Sequence, residues 1–76
     1  MTRSERYHKA KRIARAVDAD FYDARQAYRA AKISGNVRAS DIARSLCEAL
    51  IWCRDRSHAH KRVARQSLRA AAKVAQ

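Results

Sequence analysis

The stretch AKISGNVR, residues 31–38, decides the fold of this chain. It contains the sole glycine, Gly35, in a sequence of 76 residues that has no proline. Ser34-Gly35-Asn36 is the only turn signal, because Gly35 or Asn36 can take the left-handed conformation that ends a helix. Everything on either side reads as helix. Alanine and arginine are good helix formers and dominate the composition. No segment alternates apolar and polar residues with β-branched types, so strands are not expected.

Working back from the turn, Tyr7, Ala10, Ala14, Val17, Phe21, Ala24, Tyr28 and Ala31 recur at alternating spacings of three and four. This is a heptad seam, and it predicts a helix over about 4–33. Working forward, a second helix is predicted over about 37–75. It starts at Val37 or at Ser40, with Ser40 a suitable N-cap and Asp41 in the first turn. Its apolar stripe is read as Ile42, Leu46, Ala49, Leu50 and Cys53, then Ser57, His60, Ala64, Leu68, Ala71 and Val74. The middle of that stripe is weak. A break at 55–57 capped by Ser57 would give three helices, but no glycine or proline marks it. The expected fold is all-α, a single-domain antiparallel helical hairpin in which residue i lies near residue 70 − i.

In that register Phe21 and Tyr22 lie level with Ala49 and Leu50. Leu46, Cys47, Ala49, Leu50, Ile51, Trp52 and Cys53 make one region apolar all round, and a helix of that kind is normally buried. Phe21, Tyr22, Leu50, Ile51 and Trp52 are therefore expected to form an aromatic belt that takes a second copy or another protein. A chain this short builds a thin core of its own, and dimerisation into a four-helix bundle would thicken it.

The net charge is +11. Residues 16–53 carry five Lys and Arg against five Asp and Glu, whereas the remainder carries thirteen against Glu5 and Asp55. The whole excess lies at the open end of the hairpin. Residues 5–15 and 55–65 also repeat the pattern [DE]-R-x-H-x-x-K-R-[IV]-A-R, with six of eleven positions identical. Antiparallel packing relates the two copies by a local pseudo-two-fold. Arg6, Lys9, Lys11, Arg12, Arg15, Arg56, Lys61, Arg62, Arg65 and Arg69 are the candidate phosphate-binding residues. The expected ligand is DNA or RNA, gripped by the backbone without base readout. The alternative is an adaptor or inhibitor that docks on an acidic protein surface through Ile51, Trp52 and the arginines.

Catalytic chemistry is not expected. There is no Gly-rich phosphate loop and no paired-carboxylate cluster. Cys47, Cys53, His58 and His60 have the spacing C-x5-C-x4-H-x-H, which one helix cannot bring to tetrahedral convergence, so neither a metal nor another cofactor is expected. Both cysteines read as small buried hydrophobes, and six residues of helix separate them too far for a disulfide. No apolar run is long enough to span a membrane, and no targeting segment is read in the Arg-rich start, where Glu5 sits. The expected location is the cytoplasm.

Overall fold

The computed structural model describes residues 1–75. It contains two α-helices, α1 (Arg3–Ser34) and α2 (Val37–Ala75), packed together as an antiparallel hairpin. The rod measures 60 × 17 × 14 Å. Its length is that of the 39 residues of α2 at about 1.5 Å of rise each. α2 runs without a break through 55–57. Ser57, read as a possible cap there, instead turns its hydroxyl back to donate to the Arg54 carbonyl at 3.0 Å within the same helix.

Local chemistry explains each helix end. Thr2 has an extended backbone, and its Oγ1 accepts the Glu5 N–H at 3.1 Å. Thr2-x-x-Glu5 has the spacing of a capping box, so α1 begins at Arg3. At the other end Gly35 is left-handed, with φ 73°. Its N–H bonds the Lys32 carbonyl and the Asn36 N–H bonds the Ala31 carbonyl. This paired arrangement satisfies two carbonyls that the helix end would otherwise leave open. Asn36 then caps α2, its Oδ1 accepting the Ala39 N–H at 3.0 Å. The N-cap is therefore Asn36 and not Ser40, whose own N–H is bonded to the Asn36 carbonyl.

A Cβ added at Gly35 would meet nothing within 4 Å, so the backbone conformation alone requires glycine. Gly35→Ala is expected to destabilise the hairpin by about 1 kcal/mol, the cost of a left-handed L-residue. Chemical denaturation would show an unchanged m-value and a lowered midpoint. A variant as stable as the parent would contradict this account of the turn.

The α1 seam is the one its periodicity predicts. Ala14, Ala24 and Ala31 are buried, and Tyr7, Ala10, Val17, Phe21 and Tyr28 are half-buried. The α2 seam differs in its first half. Ile42, Leu46, Ala49, Cys53 and His60 are exposed, and Val74 beyond them is 87% exposed. The side chains that face α1 are Ser40, Ala43, Cys47, Leu50, Ser57, Lys61, Ala64, Leu68 and Ala71. With Arg54 between Leu50 and Ser57, these form an unbroken heptad of their own. α2 thus carries two parallel stripes, and the one with smaller residues is used. Among the described residues the four buried apolar ones are all alanines. Such a seam draws the helices close together, and Ile42 or Leu46 on it would hold them apart.

Register also differs from the expected one. Asp18 meets Arg54 and His58, and Arg54 lies over the Phe21 ring. Residue i is therefore level with about residue 75 − i. The first turn of α2 is spent crossing the ~8–10 Å between helix axes, which leaves Val37 73% exposed.

Candidate nucleic-acid interface

The shifted register changes which charges come together. Residues 1–15 are level with about residues 60–74, and this open end holds eleven Lys and Arg against the single acid Glu5. Among the described residues, the ion pairs are Arg44–Glu48, Arg54–Asp18 and His58–Asp18. The cations over aromatic rings are Arg25, Lys32, Arg54 and Arg56. All of these lie on the turn side of the basic end. None of the eleven open-end cations meets a carboxylate or a ring among the described residues. Their repulsion is met only by water and counterions.

The plane through the two helix axes has two sides, and the observed contacts label them. Asp18 and His58 touch across one side. At 100° per residue, the stripe of Asp18 continues through Arg15 and Lys11, and the stripe of His58 continues through Arg62, Arg65 and Arg69. Five of the ten expected phosphate-binding residues thus share one side of the open end. The other five are dispersed. Arg12 points outward from α1, and Lys61 is half-buried on the seam. Arg6 and Lys9 line a groove of about 290 Å³ on the opposite side, with Ile13 and His60. Arg56 lies over the Trp52 ring at 5.2 Å, toward the middle of the rod.

The two sequence repeats keep part of their expected symmetry. Tyr7 and Ser57, Lys11 and Lys61, and Ala14 and Ala64 are corresponding positions that are all buried or half-buried against the other helix. His8 and His58 do not correspond, because His8 is exposed and His58 is half-buried on Asp18.

The expected aromatic belt is not assembled. Phe21 and Leu50 are half-buried on the seam, and Phe21 is flanked by Arg54 at 5.3 Å and Arg25 at 5.8 Å. Ile51 and Tyr22 lie on the charged side, whereas Trp52 points away from α1 and is 63% exposed. Among the described residues the one aromatic pair is Tyr7 with His8. The belt depended on the 70 − i register, and a shift of about five residues rotates its members onto different faces. The two cysteines expected to be buried differ: Cys47 lies half-buried on the seam, and Cys53, expected there, is exposed. No three His, Cys, Asp or Glu side chains among the described residues are gathered to hold a metal ion. No helix among them is long and apolar enough to cross a membrane.

Asp18 marks the boundary between the basic end and the neutral end. Its carboxylate accepts from Arg54 Nε at 3.1 Å and, with Nε2 carrying the proton, from His58 at 3.0 Å. The His58 hydrogen bond foremost holds the Asp18 carboxyl below the usual carboxylate range. The nearby positive charges and the Arg54 bond act in the same direction, and partial desolvation opposes them. A carboxyl depressed on folding contributes stability above its unfolded value, and that contribution disappears as pH falls through the folded one. Asp18→Asn is expected to cost about 0.2–1 kcal/mol at pH 7, as for other partly exposed pairs. The difference from the parent should shrink to nothing in acid below the ordinary aspartate range. A difference undiminished at about pH 2 would exclude the ionic origin.

The apolar character of the opposite side was not legible as a site. Ile13, Ile42, Leu46 and Val63 are all about half exposed or more. The second heptad stripe of α2 was the signal that could have revealed it. No protein-family model, curated protein or solved structure matches this chain.

Proposed function

We propose that this chain is a small, non-enzymatic nucleic-acid-binding protein that grips phosphates through the basic side of its open end. The residues assigned to that role are Lys11, Arg15, Arg62, Arg65 and Arg69, with Arg12 at the outer edge. The observation that carries the reading is that the open-end cations have no internal partner among the described residues, whereas residues 16–59 set seven Lys and Arg against six Asp and Glu. Collecting like charges on two adjoining helices opposes folding, and a polyanion relieves that cost. A row of three guanidinium groups on α2 beside Lys11 and Arg15 of α1 suits phosphates, which arginines can engage bidentately. A helix flank dominated by arginines, with Gln66 the single amide beside Arg62, Arg65 and Arg69, favours backbone contact over base reading.

Anisotropy titrations of labelled duplex DNA, duplex RNA and single strands across a salt series test the reading. Submicromolar binding is expected, weakening with salt at about −0.9 in log–log slope per B-DNA phosphate contacted. The ranking of the three ligands then names the target class. If none binds better than the roughly 10⁻⁴ to 10⁻⁶ M of any basic protein, the reading fails. The exposed Trp52 would then direct attention to an acidic protein partner.

A further inference from the structure

The side of the hairpin opposite the basic stripe carries a charge palindrome. Arg6, Lys9, Ile13, Ala16, Asp20 and Asp23 follow at spacings of 3, 4, 3, 4 and 3, so they form one stripe of α1. The groove lined by Arg6, Lys9 and Ile13 fixes the side on which that stripe lies. Read in either direction from its centre, it runs from apolar to charged, with opposite signs at the two ends.

Each charged pair is unfavourable in the single chain. Asp20 and Asp23 are like charges three apart on a helix, as are Arg6 and Lys9, and Glu5, four residues before Lys9, forms no ion pair with it among the described residues. The helical neighbours of Asp20 at three and four residues are Ala16, Val17, Asp23 and Ala24, and those of Asp23 are Ala19, Asp20, Gln26 and Ala27. None is a cation. All four charged side chains are exposed, and none takes part in an ion pair among the described residues.

Surface area points the same way. A folded monomer of 8.7 kDa is expected to expose about 4,700 Å². This chain exposes 6088 Å², an excess of about 1,350 Å². A stable interface covers about 800 Å² per partner. Ile13, Leu46 and Val63 on this side supply apolar area for one.

We infer that a second copy of this chain covers this side, with α1 packed antiparallel on α1 about a two-fold axis that passes between Ile13 and Ala16. That axis sets Arg6 against the second copy's Asp23 and Lys9 against its Asp20, and symmetry repeats both contacts. It meets α2 near residue 60, where the hairpin register brings Leu46 level with about Val74 of the second copy and Ala49 with about Ala70. The basic end of each copy then overlies the acid-bearing middle of the other. The two phosphate-binding stripes face outward, so the interface is distinct from the proposed nucleic-acid site.

Sedimentation equilibrium of the full chain tests this without nucleic acid. The parent is expected to be a dimer at micromolar concentration. Asp20→Lys with Asp23→Lys makes the stripe wholly positive, and Arg6→Asp with Lys9→Asp makes it wholly negative. Each double variant is expected to dissociate at least about 100-fold more readily, since four ion pairs become four repulsions. Mixing the two variants is expected to restore a one-to-one dimer, which also shows that each still folds. A monomeric parent overturns the inference, as does a dimer indifferent to either reversal or a mixture that fails to recombine.

Discussion

Replacing Arg15, Arg62, Arg65 and Arg69 by glutamine is expected to lower nucleic-acid affinity at least about 100-fold at 50 mM salt. The salt slope should fall by about 3.6, which is 0.9 for each B-DNA phosphate no longer neutralised. These four arginines stand on one side of the open end and have no carboxylate or ring partner among the described residues. Their replacement therefore breaks no internal ion pair, and glutamine keeps helix propensity close to that of arginine. The variant should be as stable as the parent or more so, because repulsion is removed. The matched control is Arg38→Gln with Arg44→Gln at the turn end, which removes charge but should leave the slope nearly unchanged. A slope that depends only on net charge, and not on which arginines are replaced, would remove the case for a binding face.

The second large effect concerns stability. Ala14→Leu should lower the melting temperature by roughly 10 °C. Ala14 is 1% exposed on the seam, and no large side chain among the described residues is fully buried. Close approach of the helices is therefore the main source of packing energy. Leucine cannot fit at that position unless the helices separate, and such overpacking costs about 1–3 kcal/mol. In a domain of this size each kcal/mol corresponds to about 4–8 °C. Ser57→Ala is the control on the opposite helix. Its hydroxyl bonds only the Arg54 carbonyl of its own helix, so removing it should change stability by less than about 0.5 kcal/mol. Thermal melts by circular dichroism, at one fixed protein concentration, compare the two variants with the parent. An Ala14→Leu protein that melts with the parent would mean that the seam is looser than the burial of Ala14 implies.

Both effects depend on register and rotation, which are the features least legible in the chain. The sequence by itself determined the two helices, because one glycine interrupts an otherwise strong helical composition. It determined the α1 seam, since one heptad of apolar residues there has no rival. It determined that the basic residues gather at the open end, because any hairpin turning at Gly35 brings residues 1–15 beside the last part of the chain.

Tertiary structure decided which stripe of α2 meets α1. Two heptads compete on that helix. Hydrophobicity favours Ile42, Leu46 and Cys53, whereas close packing favours Ser40, Ala43 and Cys47. The alanines of α1 select the smaller set, because helices that approach closely gain contact along their whole length and large side chains between them would forfeit it. The crossing at the turn then sets register at about 75 − i, and Asp18 comes to lie beside Arg54 and His58. That rotation separates Arg6 and Lys9 from Arg62 and Arg65, turning one basic end into two unlike sides. Periodicity along a single helix carries no information about its partner's surface, so neither result could be read before the two helices were packed.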